Sequence, residues 1–141
     1  MDIRKLQRTI VDALVDLKGK DIVVFNTEKL SDQFSRVVIA SGTSGRHACA
    51  LAENVREEVK KAGGEIVGVE GRETGEWVLV DCGAAIVHVM QEQIRSYYNL
   101  EEIWGAKRVN MKIDPEYALL SPAKRAALEG PDAAADEEEA E

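Results

Sequence analysis

Two short runs constrain this chain most: Ile22-Val23-Val24-Phe25 and Val37-Val38-Ile39-Ala40. Each is apolar at four successive positions and rich in β-branched residues. Successive side chains of a strand point to opposite faces. An unbroken apolar run therefore makes a strand buried on both faces, toward the centre of a sheet covered on two sides. A sheet with one wet face would show alternation instead.

Helical periodicity supplies the covering layers. Ile3, Leu6, Ile10, Leu14 and Leu17 recur at steps of three and four. They form the stripe of an amphipathic helix, with Asp2 as its N-cap and Gly19 as its stop. Ala48, Leu51, Ala52, Val55, Val59 and Ala62 make a second stripe, started by Thr43 or Ser44 and ended by Gly63-Gly64. Glu65–Glu70 reads as a strand with Val67 and Val69 on one face. Trp77–Asp81 and Ala85–Met90 read as a hairpin turning at Cys82-Gly83-Ala84. Helical spacing resumes from Glu92 to Tyr98, and Leu100, Ile103 and Trp104 add a turn or two. The expected fold class is α+β: a mixed five-stranded sheet with flanking helices, in the order α-β-β-α-β-β-β-α.

Charge divides the chain. Of 26 acidic residues, seven lie beyond Arg125, where no basic residue occurs: Glu129, Asp132, Asp136, Glu137, Glu138, Glu139 and Glu141. The net charge of −8 is thus largely a property of the tail. We divide the chain into a folded domain, residues 1–112, and a C-terminal extension, 113–141, acidic and expected to be disordered from about Ser121. Such a tail confers solubility or meets a basic partner. The acidic balance argues against nucleic-acid binding through broad phosphate neutralisation. Isolated Cys49 and Cys82 form no CxxC pair and fit a reducing compartment, hence a cytoplasmic location. No apolar run reaches the ~18 residues of a membrane span.

The motifs of catalysis are weak. Gly42–His47 is a glycine loop between a strand and a helix, where free amides attract anions. Its sequence GTSGRH is neither a P-loop nor a dinucleotide fingerprint, and a capped strand-to-helix turn explains it. Two-metal phosphoryl transfer needs paired carboxylates. Asp81 stands alone on its strand, and Glu53, Glu57 and Glu58 follow the loop without an Asp-x-Asp strand nearby. His47, Cys49, Cys82 and His88 lack the close pairing of zinc ligands. No Ser sits in a G-x-S-x-G elbow. No metal or cofactor is expected.

The hairpin carries more information. Alternation puts Val78, Val80, Val87 and Val89 on one face, as core. The other face receives Trp77, Leu79 and Asp81 with Ile86, His88 and Met90. A surface of Trp and Met with one carboxylate suits a protein interface. Covered by helices, the same face would be a second core.

Six segments then match one family in order: LKGKDIVV (Leu17–Val24), ASGTSGRH (Ala40–His47), VEG (Val69–Gly71), GEWVLVD (Gly75–Asp81), VHVM (Val87–Met90) and RSYYNLEEIW (Arg95–Trp104). Over roughly residues 1–105 the chain resembles the ribosomal silencing factor, or Iojap, family. The resemblance implies a nucleotidyltransferase-type fold without catalytic carboxylates, and a factor that is not an enzyme. It implies binding to the fourteenth protein of the large ribosomal subunit, which blocks joining of the small subunit and represses translation when nutrients are scarce. It also implies a homodimer when free. On this reading Trp77, Leu79, His88 and Met90 form the docking surface, with Trp77 as anchor and Asp81 meeting a basic side chain. Arg95 and Tyr98 line the same edge. Alternatives are a large-subunit assembly factor and a nucleotide-binding protein using Gly42–His47. Two positions depart from the family pattern: Ser35 and Ala84 stand where an acid is usual.

Overall fold

A computed structural model describes residues 1–104, Arg108, Val109 and Met111. The 113–141 extension and its expected disorder lie outside the described residues.

The elements run α1 (Ile3–Asp16), β1 (Lys20–Asn26), β2 (Arg36–Gly42), α2 (Gly45–Lys61), β3 (Gly68–Glu70), β4 (Trp77–Asp81), β5 (Ala85–Gln91), α3 (Glu92–Tyr98) and α4 (Glu101–Trp104). The five strands form one sheet in the order β1-β2-β5-β4-β3. Only β2 and β5 pair parallel; the other three pairings are antiparallel. The expected α+β class and mixed sheet are what the chain adopts. Among the described residues no helix is long and apolar enough to cross a membrane.

The first sheet face packs on α1 and α2. Leu6, Ile10 and Leu14 of α1 and Leu51, Val55 and Val59 of α2 are buried against Val24, Val38, Val78, Val80, Val87 and Val89. All four hairpin valines are fully buried, as alternation predicts. The Asp2 carboxylate caps α1 by accepting from the Arg4 amide, and Ser44 caps α2 by accepting from the His47 amide. Burying this much aliphatic surface, at about 25 cal/mol per Å², is what holds the layers together.

Three expectations need correction. β1 is buried on both faces but is an edge strand, not a central one. Its outer side is met by a bridge between Phe25 and Arg108, and the Val109 amide donates to the Val24 carbonyl at 2.8 Å. β3 begins at Gly68 instead of Glu65, and Val67 is 61 % exposed while Val69 packs on the core. A three-residue edge strand has one neighbour to register it, so alternation there is a weak guide. Third, the left-handed residue that closes α1 is Lys18 (φ 62°), one position before Gly19. Leu17, counted in the buried stripe, is exposed at the cap.

Arg36 has no counterpart in the sequence reading. It is fully buried at the start of β2. Its Nε donates to Gln7 Oε1 at 2.8 Å, and its Nη1 donates to Glu28 Oε1 at 3.1 Å and to the Ser35 carbonyl. A buried charge persists only when paired and hydrogen-bonded in this way.

The loop leading into β4 depends on Gly71, which sits at φ 89°. A Cβ there would overlap the Trp77 carbonyl oxygen. Gly71→Ala is expected to lower stability by more than about 1 kcal/mol, since both φ and space are wrong for a side chain. The urea midpoint should fall with an unchanged denaturant slope. An unchanged midpoint would show that the loop relaxes freely.

Candidate functional site

The second sheet face is built by the register of the hairpin. Trp77 lies opposite Met90, Leu79 opposite His88, and Asp81 opposite Ile86. Directly opposed residues share a face, so the predicted outer set is assembled as alternation requires. What covers it differs across its width. At the β1–β2–β5 end, Val23, Phe25, Val37, Ile39 and Met90 form a small second core, with Phe34, Ile94, Leu100 and part of Trp77 packed on it. Toward β4, Leu79, Asp81 and Ile86 remain half-exposed. The face is therefore core at one end and surface at the other.

Trp77 sits on the boundary. Its indole Nε1–H donates to His88 Nδ1 at 3.0 Å. The Tyr98 ring packs on it with centroids 5.0 Å apart and planes at 49°. Tyr97 then meets Tyr98 edge-on, also at 5.0 Å. Tilted and edge-on contacts of this kind add about 0.5–1.5 kcal/mol per pair beyond area burial. The three rings form a ladder that rises from buried imidazole to solvent: Tyr98 is 52 % exposed and Tyr97 81 %.

Burial pushes the His88 imidazole down to about 4. The ring is neutral at pH 7. Because indole can only donate, Nδ1 is the acceptor and the proton resides on Nε2. Protonating Nδ1 would remove the acceptor that orients Trp77.

The other predicted site residues divide. Met90 is fully enclosed, so it supports the surface from below and cannot touch a partner; this corrects its place at the docking surface. His88 is likewise buried, with Nδ1 engaged by the Trp77 indole. Asp81 Oδ1 accepts from the Gly83 amide at 2.9 Å, closing the hairpin turn, while its side chain stays half-exposed. Arg95 points inward: its Nε donates to Glu101 Oε1 at 2.7 Å and its Nη1 to Ser41 Oγ at 2.9 Å. Two exposed large apolar residues were not among the predicted site residues: Tyr97, the outer rung of the ladder, and Ile103, 62 % exposed. The Tyr97-Tyr98 pair was the available signal: two adjacent bulky rings on a seven-residue helix that buries no residue. Ser35 and Ala84, distant in sequence, meet through the Ser35 amide and the Ala84 carbonyl at 2.7 Å.

The Gly42–His47 turn is closed on itself. The Thr43 amide donates to His47 Nδ1 at 2.9 Å, and His47 Nε2 lies 2.7 Å from the Leu17 carbonyl. Ser44 takes the His47 amide, through Oγ, and the Ala48 amide, through its carbonyl. Gly75 (φ 68°) presses its backbone onto Gly45, where a Cβ would collide. These glycines serve close packing of the Gly75 loop on the first turn of α2. A cleft of about 300 Å³ lies alongside, but its lining holds two carboxylates, Asp21 and Glu92, against one ammonium, Lys20, a balance that disfavours a phosphate. Cys82 is buried, its thiol pushed up to about 12 by desolvation, and Cys49 donates to the Arg72 carbonyl. Among the described residues no three His, Cys, Asp or Glu side chains converge on one point.

Comparisons with known proteins agree with one another. The family described as "Ribosomal silencing factor during starvation" matches residues 1–141. A ribosomal silencing factor from Chromobacterium violaceum is 44% identical over 113 residues, 80% of this chain and 93% of that protein. A crystal structure of a Chromobacterium violaceum protein superposes with a TM-score of 0.73 at 43% identity, covering 82% of this chain and 96% of that one. A mouse protein named mitochondrial assembly of ribosomal large subunit protein 1 is 31% identical over 101 residues, 67% of this chain and 44% of its own length.

Acid should unpick the ladder. His88 protonates at about 4 when folded and at its ordinary 6.5 when unfolded. Between those values the unfolded chain binds the extra proton. The stability contributed by neutral His88 is therefore complete above pH 6.5 and lost as pH falls toward 4, on the order of 3 kcal/mol. His88→Asn keeps an acceptor for Trp77 without a titrating ring. Urea unfolding across pH 4 to 6.5 should show a steeper loss in the wild type than in this variant. Parallel pH profiles would show that His88 does not titrate in the buried state.

Proposed function

The chain belongs to the ribosomal silencing factor family, and from that premise we propose that it binds the large ribosomal subunit through its fourteenth ribosomal protein and sterically blocks joining of the small subunit. Translation falls under nutrient limitation because free large subunits are capped, without turnover of any substrate. A factor seated where the small subunit must land excludes it by mass action. The free protein is a homodimer on this reading, and its location is cytoplasmic, where subunits meet.

The observation that carries the reading is the half-open aromatic ladder. Trp77 is held by a hydrogen bond beneath and a ring above, so its orientation is set before any partner arrives. Pre-ordering a large side chain lowers the entropy lost on binding. Tryptophan and tyrosine at the centre of an interface are the commonest energetic anchors. Leu79 and Asp81 extend the surface along β4, with Asp81 offering its half-exposed carboxylate to a basic side chain. Met90 and His88 belong to the surface as its floor.

A second reading is favoured by the name of the mouse relative: a large-subunit assembly factor that binds without blocking joining.

Light scattering of purified subunits tests both. Adding the protein should suppress association in proportion to its occupancy of large subunits, measured by co-sedimentation. Trp77→Ala should weaken large-subunit binding about 30-fold or more, the ~2 kcal/mol of an interface anchor. Intact affinity in a cooperatively folded Trp77→Ala variant would remove Trp77 from the interface. Binding with normal subunit joining would replace silencing with assembly.

A further inference from the structure

Helix α3 is the least self-sufficient element that bears on the ladder. It has seven residues, none of them buried, and its N-cap residue Gln91 makes no side-chain capping bond. A helix this short does not persist on backbone hydrogen bonds alone. Ile94 contributes only partial packing to the second core. Yet α3 carries Tyr97 and Tyr98, the two outer rungs of the ladder.

One side chain ties it down. Arg95 reaches inward to Ser41 Oγ on β2 at 2.9 Å and across to Glu101 Oε1 on α4 at 2.7 Å. The guanidinium is planar and forked, so two bonds in divergent directions fix its plane. Only about 10 % of its side chain is exposed, against about 35 % for Glu101. Among the described residues, no other side-chain hydrogen bond or ion pair joins α3 to the sheet or to α4. Asn99 (φ 47°) makes the left-handed turn between the two helices, and its amide donates to the Arg95 carbonyl at 2.9 Å. The Arg95–Glu101 pair thus spans the corner that Asn99 turns. Tyr98 follows Arg95 by three positions, close to one helical turn.

We propose that Arg95 is a positioning residue of the docking surface: by clamping α3 to Ser41 of β2 and to Glu101 of α4 it holds Tyr98 over Trp77, and it does not itself meet the partner. The proposal rests on the docking reading above, and the two are separable. A direct contact would need an outward-facing guanidinium, whereas both of its hydrogen bonds run to side chains of this chain. Glu101 then matters as much as Arg95, because it is the acceptor that holds one arm of the guanidinium.

The test is a cycle of Arg95→Ala, Glu101→Ala and the double variant, with Arg95→Lys and Trp77→Ala alongside. All are made in a Trp104→Phe background so that emission reports Trp77. Large-subunit affinity is read by co-sedimentation, Trp77 emission by fluorescence, and folding by urea denaturation. Each clamp variant is expected to lose affinity about 5- to 20-fold and to shift Trp77 emission to the red. The double variant should lose no more than the worse single. Arg95→Lys keeps the charge but not the fork and should behave like Arg95→Ala. Glu101→Ala, altering a partly exposed side chain, keeps the test valid if Arg95→Ala fails to fold. Loss of affinity in Arg95→Ala with a silent Glu101→Ala, or rescue by Arg95→Lys, would mean a direct charge contact and overturn the proposal. Unshifted emission and unchanged affinity in both clamp variants, with Trp77→Ala impaired, would overturn it and leave the docking reading standing. If Trp77→Ala binds normally, the docking reading fails; a red shift in the clamp variants then still supports the clamp, and its absence overturns it.

Discussion

The parallel pairing of β2 with β5 is the contact on which the rest of the molecule depends. Residues 36–42 run beside 85–91 through the interior of the sheet, and nearly every side chain they carry is buried. A strand buried on both sides must have a layer on each. One layer is complete: α1 and α2 lie across Val38, Ala40, Val87 and Val89. Among the described residues the other is partial, covered by the seven-residue α3 and the short α4 that follow β5. The proposed docking surface is the part of the second face that these two helices do not reach.

That asymmetry explains why one alternating hairpin carries two kinds of residue on a single face. Met90 and Trp77 are paired across the strands, yet Met90 is enclosed and Trp77 lies at the rim. The buried end can therefore stabilise the exposed end. His88, kept neutral by desolvation, offers an acceptor to an indole that would otherwise be a loosely held surface ring. Removing water from a hydrogen bond strengthens it and also makes its loss costly. The surface is rigid because its floor belongs to the fold.

Polar ties perform the same service at greater sequence distance. Arg36 joins α1 to the start of β2 through Gln7, and Arg95 joins α3 to the end of the same strand through Ser41. Both arginines fix a helix to β2 with a forked group that makes more than one bond. Each is a residue type normally assigned to solvent or to a partner. Their inward direction is set by acceptors that sequence spacing does not place nearby.

The sequence by itself determined the layered α+β class, the two doubly buried strands, the cap at Asp2 and a cap at Thr43 or Ser44, and the division of the hairpin into a valine face and an aromatic face. All of these follow from periodicity or from local hydrogen bonding, which extend over a few residues. The six ordered motifs likewise carried the family. Tertiary structure alone decided that β1 lies at an edge, that Met90 is enclosed, that Arg95 turns inward and that Tyr97 and Ile103 stand exposed. Strand order, the reach of a covering helix and the partner of a long side chain all depend on residues far apart in the chain. Alternation says which side chains share a face, whereas only packing says what lies over it.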